Sequence, residues 1–165
     1  MIVRVRIDER LIHGQVASYW TRFLNISRIM VIDDLAAGND VQKTALKMAC
    51  PAGVALSVLT IDKACARLNE PNEHRYDNDR ILVIFKGTDT LREAVDKGFP
   101  VTEVNIGNIA GKVGTVQVKT SVAVTEKDAE NIHYLVEQKG IKIYGQMVPS
   151  DESYDFIDAM KKVNR

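Results

Sequence analysis

Short apolar runs rich in valine and isoleucine recur along the chain, and segments with a helical spacing of apolar residues lie between them. Valine and isoleucine favour strands, and a run of about four to eight such residues between turn-forming residues is typical of a buried strand. The pattern predicts strands at residues 2–7, 28–33, 54–59, 80–85, 103–107 and 141–148, with a short strand within 116–124.

The segments between these strands predict amphipathic helices. Thr125 and Ser150 are predicted N-caps, because an acidic residue follows each of them in the first helical turn. The first helix has apolar residues at positions i, i+4, i+7 and i+8, which are Val16, Trp20, Phe23 and Leu24. The further helices are predicted at about 39–49, 61–68, 88–97, 126–138 and 151–162.

The repeated order of strand and helix predicts an α/β fold with a mostly parallel central sheet and helices on both of its faces. A small antiparallel strand pair is expected toward the C terminus. A chain of 165 residues suits one core, so we expect residues 1–165 to form a single domain. The polar, turn-rich segment 66–80 is too short to separate two domains.

Composition and charge narrow the possible functions. The 22 basic and 22 acidic residues cancel, so no field of one sign attracts nucleic acid or an anionic membrane. Cys50 and Cys65 are too few for a disulfide framework and are expected to be buried apolar residues in a reducing cytoplasm. No apolar run approaches about 18 residues and no signal-peptide pattern is present, so we expect a chain that is neither membrane-spanning nor exported.

His13 is the strongest candidate for chemistry. In a parallel sheet, ligands bind beyond the carboxyl ends of the strands, and His13 lies in the first such loop, 8–15, where a helix begins. The free N–H groups of a helix start can hold an anion, and Gly14 lets the backbone approach it closely. Arg10 supplies a planar guanidinium that matches phosphate oxygens. A nucleophile, an array of donors and a cation together suit reversible capture of a phosphoryl group.

Charged residues beside this loop have more than one possible role. Asp8 or Glu9 is expected to orient the imidazole or to hold Arg10, and Asp8 is preferred. Arg6 is either a second phosphate contact or part of a strand face that is solvated or covered by a helix.

Other segments are weaker candidates. Asp33 and Asp34 end a predicted strand and either act beside the proposed site or provide ordinary turn chemistry. The glycine-rich segment 107–115 fails as a nucleotide P-loop, because three residues separate its glycines instead of four and valine follows its lysine, so a surface loop is expected. His74 and His133 have no neighbours that indicate metal binding, and no metal or organic cofactor is expected.

The stretch RIDERLIHGQV at residues 6–16 resembles the phosphohistidine loop of the mannose/fructose/sorbose-type enzyme IIB component of the bacterial sugar phosphotransferase system. Further segments occur in the order and spacing of that family, so the resemblance covers essentially the whole chain. These segments are VIDD at 31–34, KMACPAGV at 47–54, VNIG at 104–107 and GQMVPSDES at 145–153. The family often carries a Gly-Gly pair after Asn-Ile, whereas here Asn108 follows Gly107.

The resemblance implies a cytoplasmic phosphoryl carrier. His13 would accept a phosphoryl group through Nδ1 from a phosphohistidine of the IIA component and pass it to a sugar bound by the membrane components IIC and IID. Arg10 would steady the phosphoryl group, while Gly14 and Gln15 would supply backbone at the helix start. The sugar is mannose, fructose, sorbose or an amino sugar such as N-acetylgalactosamine.

Leu11 and Ile12 are expected on an apolar rim where the IIA component docks.

The competing hypothesis is a non-catalytic, flavodoxin-like module. It would bind a nucleotide or sugar phosphate in the same crevice, with His13 acting only as a hydrogen-bond donor.

Overall fold

The computed structural model describes residues 1–70 and 74–163, so residues 71–73 of the segment predicted at 66–80 and residues 164–165 of the predicted domain lie outside the described residues. The strands are β1 (Ile2–Asp8), β2 (Arg28–Ile32), β3 (Ala55–Leu59), β4 (Ile81–Phe85), β5 (Glu103–Asn108), β6 (Val116–Lys119), β7 (Val122–Val124), β8 (Lys142–Gly145) and β9 (Tyr154–Asp155). The helices are α1 (Gly14–Phe23), α2 (Asp34–Ala37), α3 (Asp40–Ala49), α4 (Ile61–Asn69), α5 (Thr88–Asp96), α6 (Glu126–Glu137) and α7 (Phe156–Val163). Within the described ranges, none of the helices combines the length and the apolar character needed to cross a membrane.

The central sheet has the strand order β3-β2-β4-β1-β5-β8-β9, and its neighbours are parallel except for β8 and β9. From β1 the chain moves outward to β2 and β3 with α1, α2 and α3 on one face, and then returns with α4 to α7 on the other face. Right-handed crossovers require this change of face when the direction of travel reverses. The predicted fold class is therefore confirmed, including an antiparallel strand pair toward the C terminus. A separate antiparallel hairpin is formed by β6 and β7.

The strand β4 shows how the core lies on both sides of the sheet. Leu82 and Ile84 are buried in the cluster beneath α1, whereas Val83 and Phe85 are buried in the cluster beneath α5. Each fully buried side chain of this kind contributes roughly 1.5–3 kcal/mol to folding. A central parallel strand is apolar on both faces for this reason, and its sequence is a continuous apolar run without alternation.

The topology also selects one place for a ligand. The neighbouring strands β1 and β4 are followed by helices that leave to opposite faces of the sheet, α1 to one side and α5 to the other. This divergence opens a crevice at the carboxyl ends of the two strands, which is where ligands bind in open parallel sheets. The loop that contains His13 follows β1 directly, so it lies at this crevice.

The last helix begins later than predicted. Ser150 is not its N-cap, because the residues that follow turn back and pair as β9 with the end of β8, and α7 starts only at Phe156. The cap is Asp155, whose side chain accepts a hydrogen bond from the Asp158 amide at 2.9 Å.

Two other element boundaries have clear local causes. Thr125 caps α6 as predicted, since its hydroxyl accepts a hydrogen bond from the Asp128 amide and the Asp128 carboxylate accepts one from the Thr125 amide, both at 3.0 Å. The strand predicted at 141–148 is shorter than expected, because the Gln146 side chain donates to the Asp151 carbonyl at 2.9 Å and holds a turn there.

The pairing of β8 with β9 depends on a residue without a side chain. The ring of Tyr154 lies against Gly145, where an added Cβ would come within 2.0 Å of the tyrosine Cζ. We expect Gly145→Ala to displace this ring and to lower the free energy of unfolding by about 1–3 kcal/mol, measured by urea denaturation. Gly111→Ala is the control, since its Cβ would have no neighbour closer than 3.7 Å, and equal losses in the two variants would contradict this account.

Candidate functional site

The loop between β1 and α1 is held by its own apolar residues. Leu11 has a φ of 61°, a left-handed conformation that costs a non-glycine residue roughly 1–2 kcal/mol. Its amide donates to the Asp8 carbonyl at 2.9 Å, which closes a tight turn. Leu11 and Ile12 are only 3% and 6% exposed and pack beneath α1, so the expectation of an exposed docking rim is wrong for both. Their burial anchors the loop and leaves the next residue, His13, at the surface.

His13 is exposed and is the N-cap residue of α1 by its backbone alone. Its carbonyl accepts a hydrogen bond from the Ala17 amide at 2.8 Å, but its side chain makes no capping bond. Across the described residues, the imidazole has no hydrogen-bond partner on the protein. The ring nitrogens are therefore available to an incoming group.

The start of α1 differs from the other long helices in lacking a negative partner. It has no acidic residue in its first turn, whereas α3, α4 and α6 each have an acid there and a capping side chain. The first amides of α1, including those of Gly14 and Gln15, therefore have no intrahelical acceptor and no capping oxygen. A Cβ added at Gly14 would meet nothing within 4 Å, so the backbone there is open to an anion.

Arg10 is held by Asp8 along one edge of its guanidinium. Arg10 Nε lies 3.1 Å from Asp8 Oδ1, Nη2 lies 3.1 Å from Oδ2, and the Arg10 amide donates to Oδ1 at 3.0 Å. Of the two roles considered for Asp8, its contacts are those of a residue that holds Arg10. Because Asp8 occupies the Nε–Nη2 edge, the outer Nη1–Nη2 edge of this 30% exposed side chain remains free for phosphate oxygens.

Arg6 does not reach the surface of the site, which corrects the expectation of a second phosphate contact. Its side chain is 2% exposed, with Trp20 of α1 lying beside it, and its terminal nitrogens donate to protein acceptors. The guanidinium lies 5.2 Å from the centre of the Trp20 ring. Burial lowers the pKa of Arg6 to about 10, while the neighbouring Asp8 carboxylate opposes this shift, so the side chain stays protonated at neutral pH.

Glu9 connects the candidate loop to the end of β5. Its side chain accepts a hydrogen bond from the Ala110 amide at 2.7 Å, and its own amide donates to the Asn108 carbonyl at 3.0 Å.

Asp33 and Asp34 have the contacts of ordinary turn residues, which was one of their two predicted roles. Asp33 caps α2, and Asp34 accepts a hydrogen bond from the amide at the start of α4 at 2.8 Å.

The remaining ionisable candidates lie away from this loop. His74 pairs with Asp77 at 2.8 Å, and His133 pairs with Glu137 at 3.2 Å on α6. Within residues 1–70 and 74–163, no group of three or more His, Cys, Asp or Glu side chains is arranged to hold a metal ion.

The chain matches a known protein family over almost its whole length. The family described as PTS system sorbose subfamily IIB component matches residues 2–165. The chain belongs to this family.

The chain covers different shares of the lengths of its relatives. The mannose-specific EIIAB component of Escherichia coli K12 is 36% identical over 160 residues, covering 97% of this chain but 48% of the relative, so the chain spans about half of that protein. The sorbose-specific EIIB component of Lacticaseibacillus casei is 31% identical over 163 residues, covering 99% and 97% of the two chains. Among solved structures, the IIBSor domain of the Klebsiella pneumoniae sorbose permease has a TM-score of 0.89 at 29% identity, covering 98% and 97%.

The two residues that follow Asn-Ile in this IIB chain, Gly107 and Asn108, meet different constraints. A Cβ at Gly107 would lie 2.0 Å from Arg6 Nη2, so only glycine fits beneath that guanidinium. Asn108 contributes through its backbone, pairing with Asp8 in the sheet and accepting the Glu9 amide. A side chain is therefore compatible with the second position.

Sequence reasoning missed two residues that support the site from beneath. Asn105, fully buried in β5, accepts a hydrogen bond from Arg6, and the Met147 carbonyl accepts from both Arg6 and Trp20. A polar residue inside an apolar strand was a usable signal for Asn105. No sequence pattern marks a backbone carbonyl such as that of Met147 as an acceptor.

The contact between Gly107 and Arg6 gives a testable consequence. Protein acceptors hold the Arg6 guanidinium, so moving it away from an added Cβ would break hydrogen bonds. We therefore expect Gly107→Ala to lower the free energy of unfolding by about 2–3 kcal/mol. Thermal and urea unfolding measure the loss. Gly38→Ala is the control, since its Cβ would have only ordinary contacts at 3.6 Å or more, and a loss as small as the control's would contradict the packing argument.

Proposed function

We propose that this chain carries phosphoryl groups on His13 in a bacterial sugar phosphotransferase system. The proposal rests chiefly on one observation, made over the part of the chain that the structure describes. An exposed imidazole without a protein partner lies at the uncapped start of α1, three residues after a guanidinium whose outer edge is free. A phosphoryl group placed there would meet a nucleophile, a fixed cation and the free amides of the helix start.

The transfer step needs little covalent help from the protein. A neutral imidazole nitrogen of His13, Nδ1 by the family resemblance, attacks the phosphorus of a phosphorylated donor histidine in line with the bond that breaks. The new N–P bond forms as the donor N–P bond breaks, and the donor imidazole leaves with the electron pair of that bond. The main requirement is then to stabilise the negative charge on the three equatorial oxygens, and Arg10 with the amides of Gly14 and Gln15 does this.

The contacts of Asp8 support the role proposed for Arg10. A single exposed arginine samples many rotamers, and a carboxylate that grips its inner edge reduces that freedom before the phosphoryl group arrives. A bidentate pair fixes the plane of the guanidinium as well as its position. Asp8 is therefore assigned an orienting role.

Partners and location follow from family membership and remain part of the proposal. The phosphoryl donor is a IIA component, in line with the combined A and B components in the name of the Escherichia coli relative. The acceptor is a sugar held by the membrane components IIC and IID, and relatives are named for mannose, sorbose, fructose and N-acetylgalactosamine. Residues 1–165 would act as one cytoplasmic IIB domain, joined to the membrane only through these partners.

The first test is covalent. When the chain is incubated with potassium phosphoramidate or with a phosphorylated IIA component, we expect one acid-labile, alkali-stable phosphate per chain, which mass spectrometry locates on His13. His13→Ala should lose it, while His133→Ala, which changes a histidine on the surface of α6, should keep it. Phosphate that binds reversibly and survives His13→Ala would support the competing binding module instead.

The second test concerns the shape of the cation. Arg10→Lys keeps the charge but cannot grip Asp8 and phosphate along two edges, so we expect phosphoryl transfer to slow by about 10- to 100-fold, the effect of losing one charge-assisted hydrogen bond. The unfolding midpoint should change little, because Arg10 is partly exposed. Arg22→Lys, at the exposed end of α1, is the matched control, and transfer at the wild-type rate in Arg10→Lys would remove Arg10 from the mechanism.

A further inference from the structure

Asp8 is a buried carboxylate between two guanidinium groups. It is 2% exposed, it binds Arg10 through both oxygens at 3.1 Å, and its Oδ2 lies 3.5 Å from Arg6 Nη2. A carboxylate withdrawn from water is costly unless it is paired and hydrogen-bonded. Arg6 is therefore the buried partner of Asp8, whereas Arg10 is the partner that reaches the surface.

Arg6 is itself fixed from several elements of the fold. Its Nη1 donates to Asn105 Oδ1 of β5 at 2.5 Å and to the Gln146 carbonyl at 2.9 Å, and its Nη2 donates to the Met147 carbonyl at 2.8 Å. The Trp20 ring of α1 lies on one side of the guanidinium, and Gly107 lies against it as well. Three parts of the chain that are distant in sequence thus determine where Arg6, and through it Asp8, can lie.

The buried pair also supports the exposed one. Arg6 helps to hold the Asp8 carboxylate in place, and Arg10 binds both oxygens of that carboxylate. An exposed arginine held by one unsupported carboxylate would be poorly fixed, because such pairs are weak on their own.

We infer that Arg6 is a positioning residue for phosphoryl transfer, acting through Asp8 to fix Arg10. This inference rests on the proposed function of His13. Arg6 touches neither the phosphoryl group nor a partner protein, and its effect on transfer is transmitted entirely by Arg10.

A double-mutant cycle tests this directly. The rate at which potassium phosphoramidate phosphorylates His13 is measured for wild type, Arg6→Met, Arg10→Met and the double variant, well below each unfolding midpoint and per folded molecule. We expect Arg6→Met to slow the reaction roughly tenfold, Arg10→Met to slow it at least as much, and the double variant to equal Arg10→Met alone. The ³¹P resonance of the phosphoimidazole in Arg6→Met should shift toward that of Arg10→Met.

Controls separate positioning from stability. Arg28→Met removes a comparable arginine at the amino end of β2, which pairs with Asp79 at 2.8 Å and stacks over Tyr76, so it should lose stability and keep wild-type transfer. Arg6→Lys keeps the buried charge but not the full set of hydrogen bonds. It provides a folded variant if Arg6→Met does not fold, with transfer slower than wild type and an intermediate ³¹P shift expected.

Two results would overturn the inference. Wild-type transfer in folded Arg6→Met or Arg6→Lys would show that Arg6 serves stability alone, and additive losses in the double variant would show that it does not act through Arg10. A different result would overturn the proposed function as well: wild-type chain that gains no phosphate on His13 from phosphoramidate or from a phosphorylated IIA component.

Discussion

The buried carboxylate of Asp8 is the constraint on which the site depends. It ends the central strand β1, where the sheet provides a rigid base, and burying its charge is costly without cationic partners. One partner comes from two residues earlier on the same strand face and the other from the loop that follows. The need to pair one buried charge therefore connects the interior of the sheet to the surface where His13 lies.

The loop after β1 buries two apolar residues and thereby exposes His13. Leu11 and Ile12 pack inward and turn the chain sharply, so that α1 begins with His13 exposed and its first amides uncapped. A capping carboxylate would have stabilised the helix by about 1 kcal/mol but would have repelled a phosphoryl group from the same amides. Stability is given up locally, and the apolar contacts of the turn offset it.

Much of the fold was readable from the sequence because its strongest signals are local. Continuous apolar runs such as β4 predict strands buried on two faces, and the strand–helix alternation predicts the parallel sheet and the crevice beside His13. The late start of α7 was not readable, because the pairing of Tyr154 with Gly145 is a tertiary contact that overrides a good helix-start pattern around Ser150. The burial of Leu11 and Ile12 and the covering of Arg6 by Trp20 likewise depend on how α1 lies on the sheet.

The two-residue strand β9 has a consequence for association between chains. The outermost strand of a sheet presents unpaired backbone groups that can template pairing with another molecule. Here the edge strand is short and antiparallel to its neighbour β8, and the Tyr154 ring shields Gly145 of β8. This side of the sheet is thereby protected from open-ended, amyloid-like growth in a protein whose carrier role would require it to remain dispersed and to exchange partners.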